Sequence, residues 1–121
     1  MEVGKMDIFT QGETAALVTA LGFIVLDYIT GVVNAVKSKE LDSTIMREGL
    51  YHKFAEIMII GIVVALNYSS MFFDLGIDVP LIEGACVYII IMELASVLEN
   101  LCKINPELAD NPLFAILNLN K

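Results

Sequence analysis

Apolar residues fall into three blocks separated by short polar stretches. Residues 14–36 (TAALVTALGFIVLDYITGVVNAV) carry a single charged residue, Asp27. Residues 54–73 (FAEIMIIGIVVALNYSSMFF) carry Glu56 near their start, and residues 79–102 (VPLIEGACVYIIIMELASVLENLC) carry Glu83, Glu93 and Glu99. Each block has about the ~20 residues that an α-helix needs to cross a hydrocarbon core of ~30 Å. The pattern predicts an all-α membrane protein with three transmembrane helices and short connections, organised as a single domain over 1–121. Residues 1–13 form an N-terminal flank, 37–53 a basic loop and 103–121 a tail.

The connections carry the punctuation that helix ends require. Asp42 or Ser43 is placed to cap a second helix starting near Thr44 and reaching the membrane at Phe54. DLGIDVP, residues 74–80, reads as a tight turn around Gly76 and Pro80. Asn-Pro pairs at 105–106 and 111–112 mark helix boundaries in the tail, where PLFAIL is a short apolar piece suited to the interface or to a neighbouring helix. One lysine and three acids precede the first block and no small-residue cleavage site follows it, so that block is expected to be a retained span and not a signal peptide.

Helical periodicity gives the polar residues directions. At about 100° per residue, Asp27, Thr30, Gly31 and Asn34 share one face of the first span, with Thr19 at its edge. Glu56, Asn67, Ser70 and Asp74 share a face of the second if that helix is regular. Glu93, Ser96 and Asn100 cluster on the third, with Glu99 at the margin and Glu83 off the stripe. An Asp at the centre of a spanning helix opposes insertion by roughly 2.5–3.5 kcal/mol, and ionisable groups at that depth face a bundle interior or a water-filled space. Two readings follow: the stripes hydrogen-bond helix to helix, or subunits of a homo-oligomer turn them toward a shared lumen. Gly31 lets helices approach closely, without a GxxxG dimer motif.

Composition supports the membrane class. Hydrophobic residues make up 57% of the chain, mean hydropathy is +0.74, and charged residues are 18%, below the roughly 25% of soluble domains. The formal net charge of −8 gives no general attraction for nucleic acid. Six of the seven basic residues flank one side of the predicted spans: Lys37, Lys39, Arg47 and Lys53 in the basic loop, Lys103 and Lys121 in the tail, against Lys5 alone on the other. The positive-inside rule then puts the loop and C-terminus in the cytoplasm and the N-terminus outside.

Little chemistry is visible. Cys86 and Cys102 are sixteen apart, too far on one helix for a disulfide, and read as small core residues. No metal-ligand spacing stands out, and His52, the single histidine, reads as an interfacial residue beside Lys53. There is no Ser/His/Asp constellation and no phosphate-binding glycine loop, so neither an enzyme nor a cofactor is expected.

The run LDYITGVVNAVKSKELDST, residues 26–44, followed by REGLYHK, residues 47–53, resembles the toxin-secretion and phage-lysis holins of Gram-positive bacteria and their phages. ELASVLENLCKI, residues 93–104, is similar to that family's Glu, Ser and Glu-Asn pattern ahead of a short tail. The likeness covers roughly residues 20–110, and KINPELADNP departs from the Gly and Pro that family members carry there. The resemblance implies a cytoplasmic-membrane protein that forms homo-oligomers in the lipid bilayer and opens lesions for an endolysin or a secreted toxin. It supplies no residue-by-residue site. The rival readings are a small ion channel or proton-coupled transporter, and a regulatory subunit of a larger membrane complex.

Overall fold

The computed structural model describes residues 7–39 and 42–117. Lys5 and Lys121, both used in the charge count, lie outside the described residues. Three long helices dominate: α1 (Gln11–Ser38), α2 (Ser43–Ser70) and α3 (Leu81–Ile104). All three are long and apolar enough to cross a membrane. A 3-10 helix (Pro106–Asp110) and a short α4 (Pro112–Leu117) follow.

Capping groups decide where each helix begins. Thr10 and Glu13 form a reciprocal capping box, with Glu13 N–H donating to Thr10 Oγ1 at 3.0 Å and Thr10 N–H to Glu13 Oε1 at 2.9 Å. α1 therefore starts three residues before the apolar block, and it ends where Lys39 adopts a left-handed conformation at φ 58°. Asp42 caps α2 by accepting from Thr44 N–H at 2.7 Å. Residues 43–53, counted within the basic loop between the apolar blocks, are thus the first three turns of α2, in keeping with the helix start expected near Thr44. The cap next to Ser43 starts the helix well before the apolar block does.

α2 stops at Ser70, three residues short of the apolar block's end. Asp74 then accepts from Gly76 N–H at 2.7 Å, and Gly76 takes φ +72°, which closes the turn. Asp74 consequently leaves the α2 stripe, because the helical register needed to place it there has already ended. Asn105 starts the 3-10 helix by accepting from Glu107 N–H at 3.3 Å, ahead of Pro106.

α1 and α3 run parallel and in near-constant register, and α2 runs antiparallel to both. The start of α1 lies against the start of α3, where a Cβ at Gly12 would meet Glu83 Oε2 at 3.7 Å. At the other end Lys37 Nζ donates to the carbonyls of Lys103 and Ile104, at 3.2 and 2.5 Å. Those carbonyls belong to the last turn of α3, where helix geometry leaves acceptors free and the dipole favours a cation. α1 and α3 share the most extensive interface, α2 packs mainly on α3, and α1 touches α2 little.

The core is thin and lies along α3. Ile82, Cys86, Ile89, Glu93 and Val97 are its buried residues, at the 3–4 spacing of a single helix face. Ala20 and Ile24 of α1 and Ile60 of α2 complete the apolar part. The outward faces stay apolar, with Val18, Val25 and Ile29 on α1, Ile57 and Ile62 on α2, and Val87 and Ile91 on α3 all exposed. An apolar exterior around a polar centre is the arrangement a lipid environment selects.

Candidate functional site

The centre of the bundle is ionic. Lys53 is only 8% exposed, and its ammonium donates to Glu93 Oε2 of α3 at 2.7 Å and to Asp27 Oδ2 of α1. The long Lys stem makes this possible, since it starts on α2 and reaches between the two parallel helices. Asp27 Oδ1 accepts from Asn100 Nδ2 at 3.0 Å, and the same amide donates to Thr30 Oγ1 at 3.1 Å. The Thr30 hydroxyl donates back to the Leu26 carbonyl at 2.9 Å. One chain of contacts therefore runs Glu93–Lys53–Asp27–Asn100–Thr30 and ties all three helices together.

The three ionic groups stand at one height. Asp27 and Glu93 are each eleven residues before the end of their helices, and Lys53 is ten after the start of α2. At ~1.5 Å per residue that is roughly 16 Å from the helix ends, well inside each of the three long helices. Lys and Asp groups there oppose insertion by roughly 2.5–3.5 kcal/mol each when exposed to lipid. Pairing them inside the bundle removes that exposure.

Glu56 lies beside this network, its carboxyl next to that of Glu93. It is buried, its Oε2 is 3.9 Å from His52 Nε2, and its Oε1 has no hydrogen-bond partner among the described residues. A cleft of about 360 Å³ leads from the surface to Asp27 and Lys53, with Gly31, His52, Ser96 and Asn100 in its walls. Gly31 faces the Asn100 amide, and a Cβ there would stand 3.7 Å from Nδ2, an ordinary van der Waals contact.

The remaining polar positions are spread out. Asn34 is half-buried one turn beyond Thr30. Asn67 lies toward the opposite end of the bundle, its Nδ2 buried without a hydrogen-bond partner among the described residues, beside a second cavity shared with Asp7, Thr10 and Met71. Ser70 is exposed, and its hydroxyl donates to the Asn67 carbonyl at 2.7 Å. Lys39 and Arg47 are exposed at the α1–α2 turn and the start of α2. Glu99 is exposed and pairs with Lys103 at 3.0 Å.

Lys53 is the residue that sequence reasoning misplaced. Its position just before an apolar block and its charge made it a cytoplasmic loop residue, yet it is the centre of the buried network. The signal was present: Lys53 lies three residues before Glu56, on the same helical face that Ile60 extends. Removing it from the cytoplasmic tally leaves five basic residues against one by sequence, still the same sign of asymmetry.

Three spanning helices, an apolar exterior and an ionic centre define a multi-pass membrane protein. The chain belongs to the bacteriophage holin family, whose model matches residues 5–113. The match takes in the N-terminal flank from residue 5, which the resemblance read from sequence did not reach. Holins are a kind of membrane protein not normally enzymatic. An uncharacterised 14.9 kDa protein in the nagH 3' region of Clostridium perfringens is 43% identical over 51 residues, covering 42% of this chain and 39% of that protein. An uncharacterised protein of C. perfringens strain 13 (type A) is 43% identical over 51 residues, covering 42% of this chain and 38% of its own length. The aligned part of the chain spans about two fifths of these curated relatives. No solved structure matches the chain.

Proposed function

We propose that this chain acts as a holin. Subunits accumulate in the cytoplasmic membrane with each bundle closed around Lys53, and associate through their apolar faces into homo-oligomers. Above a critical surface density the helices rearrange so that Asp27, Thr30, Asn34 and Glu93 face water. Hydration of the carboxylates then favours an open lesion, through which an endolysin or a toxin leaves the cell. The observation that carries this reading is the placement of opposed charges at mid-bundle depth beneath an apolar exterior. Such a centre is stable when dry and paired, and gains hydration when separated. Inducible expression with and without a co-expressed endolysin tests it. Abrupt lysis only in the presence of the endolysin is expected; equal survival of both cultures overturns the reading.

The cleft that reaches Asp27 and Lys53 favours one second reading, a small channel or proton-coupled transporter. Release of graded solutes from vesicles separates the two. A holin passes folded proteins, whereas a channel or transporter passes only small solutes.

A further inference from the structure

α2 presents a pair of groups that the Lys53 network leaves unused. His52 and Glu56 are one helical turn apart, and one donor atom from each of His52, Glu56 and Glu93 lies within 4.8 Å of the others. The Glu56 side chain is only 10% exposed, and its Oε1 has no hydrogen-bond partner among the described residues. A buried carboxylate oxygen without a partner is costly, and natural proteins rarely leave one. The neighbouring ammonium is already committed, since Lys53 donates to Asp27 and Glu93.

Charge counting points to the same missing group. Taken as ionised, the carboxylates of Asp27, Glu56 and Glu93 exceed the single Lys53 ammonium by two negative charges. One divalent cation balances that excess. An imidazole with two carboxylates suits first-row transition metals, zinc foremost, whereas magnesium and calcium take oxygen ligands. His52 supplies the access, because its side chain is 66% exposed and lines the open cleft.

We propose that His52, Glu56 and Glu93 form a site for a divalent transition-metal ion, with zinc the best chemical match, that fastens α2 to α3 beside the Lys53 network. Zinc–ligand bonds of ~2.0–2.2 Å set tetrahedral donor spacings of roughly 3.3–3.5 Å. The exposed His52 ring and the uncommitted carboxylate oxygens reach that spacing by side-chain rotation. The fourth position faces the cleft and takes water. The site is independent of lesion formation and stands or falls separately from it.

The test uses the full chain, purified in detergent without a polyhistidine tag, stripped with a chelator and titrated with zinc by calorimetry. Cobalt serves as an optical probe of coordination geometry. Wild type is expected to bind one zinc per chain and to gain thermal stability from it. His52→Ala, a change at an exposed position, is expected to weaken binding by at least the roughly 10–100-fold that a supporting group contributes at a metal site. Glu56→Gln is expected to do the same, while both variants keep the helical content of wild type. No saturable zinc uptake by wild type, or equal affinity in wild type and His52→Ala, overturns the proposal.

Discussion

Lys53 Nζ lies 2.7 Å from Glu93 Oε2, although the two residues are 40 positions apart and belong to different helices. The same ammonium is held by Asp27 of α1. A single side chain thus bridges carboxylates from both neighbouring helices and offsets one of their two charges.

Replacing Lys53 by Met leaves Asp27 and Glu93 buried without a counter-charge. Loss of one partner of a buried pair costs about 3–5 kcal/mol. Lys53→Met is expected to unfold at a clearly lower mole fraction of SDS in mixed micelles. The combined Asp27→Asn, Lys53→Met, Glu93→Gln chain recovers most of the loss, because Asp27 and Glu93 are then neutral and need no counter-charge. Unchanged SDS resistance in Lys53→Met would show that the network is not what clamps the bundle.

Asn100 joins α3 to α1 through Asp27 and Thr30. Hydrogen bonds between membrane helices contribute about 0.6 kcal/mol on average and up to about 1.7. Asn100→Ala is therefore expected to be a mild variant, several-fold less harmful than Lys53→Met in the same SDS titration. A loss as large as that of Lys53→Met contradicts the division of roles.

Asp27→Asn preserves the shape of the Asp27 side chain while removing one of the two charges opposite Lys53. A hydrogen bond to a charged group is worth roughly 1.5–3 kcal/mol, so the closed bundle is weakened by up to that amount. Under the holin reading, Asp27→Asn and Glu93→Gln insert normally and shift the timing of lysis from that of wild type, since each change weakens the closed bundle and removes a carboxylate whose hydration favours opening. Culture density after induction reads the timing and membrane fractionation reads the insertion. Wild-type timing in both variants reduces the network to a purely structural role.

Orientation is open to direct labelling. In a chain carrying Cys86→Ala and Cys102→Ala, a cysteine is introduced at Asp78 or at Ser43. With the N-terminus outside, Asp78→Cys reacts with an impermeant maleimide on intact spheroplasts, and Ser43→Cys reacts only after permeabilisation. The reverse pattern overturns the orientation drawn from the basic residues.

Much of the architecture was legible in the chain because membrane insertion is decided locally. Each apolar block contains enough transfer free energy to specify its own helix, and the start of α2 followed from Asp42, whereas the Thr10–Glu13 box that starts α1 was found only in the structure. Stripe geometry was legible for the same reason: Asp27, Thr30 and Gly31 share a face whatever lies opposite. Asp74 was harder, because its helix ends early and its side chain closes a turn. The His52–Glu56 spacing was visible too, but its meaning depended on the arrival of Glu93 from another helix.

The amino-acid sequence by itself determined three spanning helices, their approximate limits and which polar residues share a face on the first and third. Only the tertiary structure decided that these faces meet inside one chain, that α1 and α3 lie parallel, and that Lys53 points inward. The physical reason lies in the lysine side chain. Its flexible stem lets a residue at the edge of an apolar block reach toward water or toward buried charge. Two carboxylates at the same height, brought there by helices 26 and 40 residues away in the chain, turn it inward. Periodicity records the face of one helix, and the height and direction of its partners exist only once the bundle has formed.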